Sequence, residues 1–190
     1  MTKKFLSLLL AIVMICAMGA IPVSAATTTL QELIDAAAAG ATIKLEKDYV
    51  ENLVTITKSI TLDLNGYSLY TNNNNQTLIV SGTNVEVVIT DNSDSKAGSI
   101  KQGRVGTTSA AVTVKNGAKV TLAGGSVIAN EYGVIVTGGA EFTMNAGNVE
   151  GNYGVRVLDS GKFTLNGGVV QAVNAGYGVY PRGNVTVEIP

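Results

Sequence analysis

A repeat of about 22 residues in the C-terminal two-thirds of the chain is the feature that most constrains its fold. Four short segments of one pattern recur, and they are Lys119–Leu122, Glu141–Met144, Lys162–Leu165 and Asn184–Val187. Their threonines are 22, 21 and 22 residues apart, at Thr121, Thr143, Thr164 and Thr186. Short strands that return at a fixed spacing of this length are typical of a solenoid, in which each coil buries its apolar face against the next.

A second element returns with a similar period and favours the same fold. A Tyr-Gly-Val sequence begins at Tyr132, Tyr153 and Tyr177, and asparagines precede it at Asn130, Asn152 and Asn174. An antiparallel sandwich or barrel also contains many short strands, but it does not require residue identities to recur. We therefore predict an all-β fold, a right-handed parallel β-helix of about six coils, over residues 41–190.

The segment before the first strand predicts one short amphipathic helix within residues 26–40. Thr29 and Glu32 have the spacing of a capping box, and Leu30 and Ile34 belong to an apolar stripe behind it. Gly40 stands where a glycine often ends a helix. We expect this helix to cap the N-terminal end of the apolar core.

The N-terminus has the parts of a secretory signal peptide. Lys3 and Lys4 precede an apolar run, and small residues stand before a cleavage point after Ala25. A retained membrane anchor is the alternative, but the run is shorter than the ~20 residues that span a bilayer. We predict that residues 1–25 are removed as a bacterial signal peptide of Gram-positive-like type. The mature protein is then expected to be secreted or displayed at the cell surface, without further membrane contact.

The composition excludes several kinds of site. The chain has no histidine, and its single cysteine, Cys16, lies in the signal segment. Catalytic triads and zinc sites that depend on these residues are therefore excluded from the mature chain, and we expect no cofactor. The sequence has no stripe of basic residues of the kind that binds nucleic acid, so we expect no nucleic-acid partner. Asp91 and Asp94 are candidate calcium ligands in a polar loop, for which a tight turn is the alternative interpretation.

Residues that recur in successive coils should stack into ladders. The tyrosines are separated by an even number of residues from the valines expected to face inward, such as Val134 and Val155. We therefore predict that their rings form a stack inside the solenoid or at a corner, with a sugar-stacking platform as the alternative. The asparagines are interpreted as a structural ladder in the turn before the tyrosine strand. In the first strand we expect Val120, Phe142, Phe163 and Val185 to face inward, and Lys119, Glu141, Lys162 and Asn184 to face outward.

A small outward row is the candidate ligand surface. It contains Ile135, Arg156 and Tyr180, with Arg182 nearby. Aromatic and arginine side chains on a rigid sheet are suited to binding a glycan, and a solvated face without a ligand is the alternative.

One stretch carries a resemblance to a known family. The segment Lys58–Leu69 reads KSITLDLNGYSL, and Val88–Ser93 reads VITDNS. Both resemble bacterial right-handed β-helix repeat proteins with a pectin-lyase-like fold, many of which are exported to the cell surface. The resemblance implies adhesion or glycan contact. The same fold carries polysaccharide lyases, but their histidine- and tryptophan-containing signatures have no counterpart here, because the chain lacks both residue types.

These observations predict a non-catalytic exported module for cell-surface adhesion or polysaccharide binding, with polysaccharide or other cell-envelope components as partners. A polysaccharide lyase or glycoside hydrolase-like enzyme is one alternative, and a structural spacer is another. The sequence stops just after a strand begins a new coil. An open coil is an exposed parallel edge, so we expect either a longer natural chain or end-to-end self-association through that coil.

Overall fold

A computed structural model describes residues 28–104 and 109–189, and the predicted signal peptide lies outside these residues. In the described part, one short helix precedes seventeen strands, and all strand pairs are parallel. The strands form a β-solenoid of about six turns. The prediction of an all-β parallel solenoid with a short N-terminal helix is therefore confirmed.

Corresponding strands of successive coils stack into three faces. The first face contains β1 (Thr42–Lys44), β4 (Ile60–Asp63), β7 (Glu86–Thr90), β10 (Lys119–Leu122), β13 (Glu141–Met144), β15 (Lys162–Leu165) and β17 (Thr186–Glu188). The second contains β2 (Tyr49–Val50), β5 (Ser68–Thr71), β8 (Ser99–Gln102), β11 (Ser126–Ala129) and the first halves of β14 (Asn148–Val157) and β16 (Val169–Pro181). The third contains β3 (Val54–Ile56), β6 (Leu78–Ser81), β9 (Ala110–Lys115), β12 (Tyr132–Val136) and the second halves of β14 and β16.

A continuous apolar core runs along the inside of the coils. On the first face, Val120, Phe142 and Phe163 align and are buried, as expected. The two phenylalanine rings stack with their centroids 5.7 Å apart. Burying a side chain of this size stabilises the fold by about 1.5–3 kcal/mol relative to leaving it exposed.

The coils differ in length more than the repeat suggests. The residues aligned with Thr121 along the first face are Thr42, Thr61, Val88, Thr143, Thr164 and Glu188, so one coil spans between 19 and 33 residues. In the longest coil, residues 91–98 form a long corner between β7 and β8. On the first face, strands β7, β10 and β13 keep the alternation of buried and more exposed positions.

The last strand of the first face differs from the expected alignment. Val187, and not Val185, lies opposite Phe163, and Thr186, and not Asn184, lies opposite Lys162. The cause is a longer corner in β16, where the residues between Ala172 and Tyr177 replace the single Asn152 of β14. The last strand is therefore shifted by two residues from the expected alignment. Because side chains alternate with a period of two, this shift still places a valine on the inward side opposite Phe163. In this alignment Glu188 forms an ion pair with Lys162, in which Lys162 Nζ lies 2.9 Å from Glu188 Oε1.

The helix α1 (Leu30–Ala36) covers the first coil through both apolar and polar contacts. Leu30 and Ile34 enter the common core, and the capping box of Thr29 and Glu32 is present. The helix ends at Ala36, before Gly40, where the C-cap Ala37 adopts an extended backbone. Lys58 Nζ donates to the carbonyls at this end, those of Asp35 at 2.9 Å and Ala37 at 2.8 Å. Gly40 instead has a φ of 81° and donates to the Ser59 carbonyl.

One side chain of the helix completes the edge of the third face. Gln31 accepts from the Thr55 backbone N–H at 2.7 Å and donates to the Thr55 carbonyl at 3.1 Å. Its amide thus pairs with the backbone of β3 as a neighbouring strand would. This contact protects a parallel edge that would otherwise present free hydrogen-bonding groups.

We predict that Gln31→Ala lowers the free energy of unfolding by about 1–3 kcal/mol, because it leaves half-buried backbone groups of β3 without their partner. Urea denaturation followed by circular dichroism measures the change. Gln171→Ala is the matched control, since Gln171 makes only an exposed bond to Glu150. An equal loss in both variants would contradict a capping role for Gln31.

Candidate functional site

Three tyrosines occupy aligned positions on the third face. Tyr132 pairs in register with Tyr153, which pairs with Tyr177. The ring centroids are 5.2 Å apart in the first pair and 6.0 Å apart in the second, and both pairs are stacked. Exposure rises along the row, from 8% for Tyr132 to 58% for Tyr177.

The predicted tyrosine stack is present at the corner where the third face begins, and its rings lie on the outer side of the solenoid and not among the core valines. A Cβ added to Gly133 would lie 2.7 Å from the core side chain of Val149, so this glycine faces inward. Val134, the next residue, also faces the core. Two consecutive inward positions interrupt the alternation of the strand, and Tyr132 is thereby directed outward, where it packs with Ile135.

The predicted outward row lies beside the tyrosines. Ile135, Arg156 and Tyr180 are aligned in register. The Tyr180 ring centroid is 5.0 Å from that of Tyr153 and 5.5 Å from that of Tyr177. The two rows therefore merge, and we call the merged group the tyrosine–arginine cluster, which consists of Tyr132, Tyr153, Arg156, Tyr177 and Tyr180.

Arg156 occupies the middle of this cluster. Its Cζ atom lies 4.8 Å from the Tyr132 ring centroid and 6.0 Å from that of Tyr180. A guanidinium over an aromatic ring contributes about 0.5–1 kcal/mol at a partly exposed position. Burial raises the pKa of the Tyr132 hydroxyl, and the positive charge of Arg156 partly opposes that rise. Tyr132 therefore stays neutral at physiological pH.

The other two predicted residues have different positions. Ile135 is only 8% exposed and packs beneath Tyr132, Tyr153 and Leu158, so it supports the cluster from below. Arg182 is exposed, and its backbone N–H donates to the Val157 carbonyl at 2.9 Å. Of the predicted ligand residues, the structure thus brings Arg156 and Tyr180 together with the tyrosines.

The three asparagines of the predicted ladder stand at different distances from the aligned tyrosines. Asn130, Asn152 and Asn174 lie two, one and three residues before the aligned tyrosines, because the corners that contain them differ in length. Asn130 Nδ2 donates to the Gly103 carbonyl at 2.8 Å. Stacked asparagines occur instead at another corner, where Asn166 Nδ2 donates to Asn145 Oδ1 at 2.8 Å.

The candidate calcium loop is held together by its own hydrogen bonds. Asp91 is 3% exposed, and its carboxylate accepts from Gly66 N–H at 2.9 Å, Gly98 N–H at 2.7 Å and Ser93 Oγ at 2.7 Å. Burial alone would raise the pKa of Asp91, but the bonds from Ser93, Gly98 and Gly66 outweigh it and lower the pKa. Asp94 is exposed, and the described residues contain no group of three or more His, Cys, Asp or Glu placed to hold a metal ion.

We predict that Asp91→Asn lowers the free energy of unfolding at neutral pH by about 2–3 kcal/mol, because the amide nitrogen would face an N–H donor. The lowered pKa of Asp91 means that its contribution is present above the ordinary value of about 4 and is lost as the pH falls below it. The wild-type protein should therefore lose more stability in acid than the variant. Denaturant titrations across this pH range measure both effects, with Asp94→Asn as the exposed control, and an acid response identical in Asp91→Asn and wild type would refute the assignment.

Gly154 and Gly178 follow Tyr153 and Tyr177 as Gly133 follows Tyr132, and they give a second prediction. A Cβ at Gly154 would lie 2.5 Å from the Gly178 carbonyl oxygen, whereas a Cβ at Gly178 would find no atom closer than 3.4 Å. Gly154→Ala should therefore cost about 1–3 kcal/mol through overpacking. Gly178→Ala, in the same row, should change stability by less than about 0.5 kcal/mol. Thermal unfolding compares the two, and similar effects would argue against a close approach at Gly154.

No helix among the described residues has the length and apolar character needed to cross a membrane. Comparisons of the chain with protein-family models, with curated proteins and with solved structures found no match. The fold and the tyrosine–arginine cluster therefore rest on the structure and the sequence alone.

Proposed function

We propose that the chain is an exported, non-catalytic β-helix module that binds polysaccharide through the tyrosine–arginine cluster. The observation that carries this proposal is an exposed aromatic surface with rigid support. Tyr177 is 58% exposed, while Tyr153 and Tyr180 hold its ring from two directions at centroid distances of 6.0 Å and 5.5 Å.

Such a surface suits a sugar ring. One side of a pyranose presents C–H groups that pack against an aromatic ring, and its hydroxyls remain free for polar contacts. The tyrosines stand on a parallel sheet and are already packed against one another, so little side-chain entropy is lost when a ligand binds. The cluster is therefore preorganised for a rigid, amphipathic ligand.

The N-terminal sequence supports the setting of this proposal. A signal peptide over residues 1–25 would export the protein, where glycans of the cell envelope are the abundant rigid polymers. The resemblance of Lys58–Leu69 to pectin-lyase-like surface proteins points to the same setting. Both arguments come from the sequence, and they agree with a binding surface on the outside of the solenoid.

We predict that Tyr177→Ala and Tyr180→Ala each weaken polysaccharide binding about tenfold, since each removes a large aromatic contact. A glycan array identifies a bound polysaccharide, and affinity electrophoresis in that polysaccharide measures the change. Tyr67→Ala is the matched control, because Tyr67 is an exposed tyrosine outside the cluster.

Other outcomes of this experiment would overturn the proposal. Absence of binding to any polysaccharide would favour a structural spacer, and release of shortened oligosaccharides would identify an enzyme. Equal binding by wild type and both cluster variants would place the contact elsewhere on the molecule.

A further inference from the structure

We infer that the polysaccharide is anionic and that Arg156 is the residue that selects it. This inference rests on the proposed function and names its ligand class. It follows from the electrostatic state of Arg156 and from the way its neighbours hold it.

In the described part of the chain, Arg156 forms no ion pair with a carboxylate. The ion pairs found there, Lys119–Glu86 and Lys162–Glu188, both lie on the first face. The charge of Glu131, the residue before Tyr132 in the chain, raises the pKa of the Tyr132 hydroxyl, but Glu131 forms no ion pair with Arg156 within residues 28–104 and 109–189. A half-buried charge without a partner raises the free energy of the unliganded protein, and an anion that pairs with it recovers that cost.

One hydrogen-bonding group of Arg156 is also unused among the described residues. Its Nε atom is buried and has no hydrogen-bond partner. The guanidinium is positioned instead by the rings of Tyr132 and Tyr180. A planar guanidinium held in this way is preorganised to bind a carboxylate, sulfate or phosphate group through paired N–H donors.

Matched polymers test the inference directly. Carboxymethylcellulose, hyaluronan and alginate are each compared with their methyl-esterified forms, which keep the sugar backbone and remove the charge. We expect wild type to bind at least one free-acid polymer about tenfold more tightly than its ester, and salt to weaken that binding. Arg156→Gln should lose this preference.

Two further variants separate charge recognition from folding. Arg156→Lys keeps the cation without the planar fork, so it should retain the salt dependence with weaker binding. Lys47→Gln removes a cation that lies over the Tyr49 ring in the first coil, 5.1 Å from its centroid, and should leave the preference unchanged. Circular dichroism and thermal midpoints establish that each variant is folded.

The possible failures are distinguishable. Binding of the esters as tightly as the free acids, with Tyr177→Ala still weakening it, would overturn the anionic ligand and leave the proposed function standing. Absence of binding to every free acid and every ester would overturn both. Loss of the preference in Lys47→Gln as well as in Arg156→Gln would assign it to net charge and overturn the role of Arg156.

Discussion

In-register parallel hydrogen bonding between neighbouring coils is the constraint on which the rest of this structure depends. It places each residue beside its counterpart in the next coil, about 4.8 Å away. Phe142 therefore stacks on Phe163 inside the solenoid, and Asn166 bonds to Asn145 at a corner. The tyrosine–arginine cluster has the same origin, since its members come from three successive coils.

The sequence was sufficient to predict the parallel solenoid, because residue identities return where the strands return. The inward positions of Phe142 and Phe163 followed from simple alternation. Arg156 and Tyr180 could be placed in one outward row because each stands beside a core-facing valine, Val155 and Val179, in aligned strands.

The positions that differ from prediction lie after corners or beside glycines. The repeat in the sequence does not reveal the length of a corner or the direction in which a glycine faces. Asn174 keeps a spacing of 22 residues from Asn152, and that spacing hides the longer corner that moves Val187 opposite Phe163. The tyrosines turn outward because Gly133 and Val134 both face inward. The packing of Val149 close to Gly133 is visible only in the folded chain. Period-two alternation alone predicts that Tyr132 faces the opposite side.

The variable corners have an evolutionary consequence. The coil between Phe163 and Val187 holds more residues than the coil before it, yet Phe163 and Val187 still stack in register. Insertions at a corner are absorbed locally, because the closure entropy of a loop grows only slowly with its length. Insertions or deletions at one corner of such a protein can therefore leave the three faces undisturbed. As they accumulate, the fixed spacing in the sequence is lost while the stacking of the coils is kept.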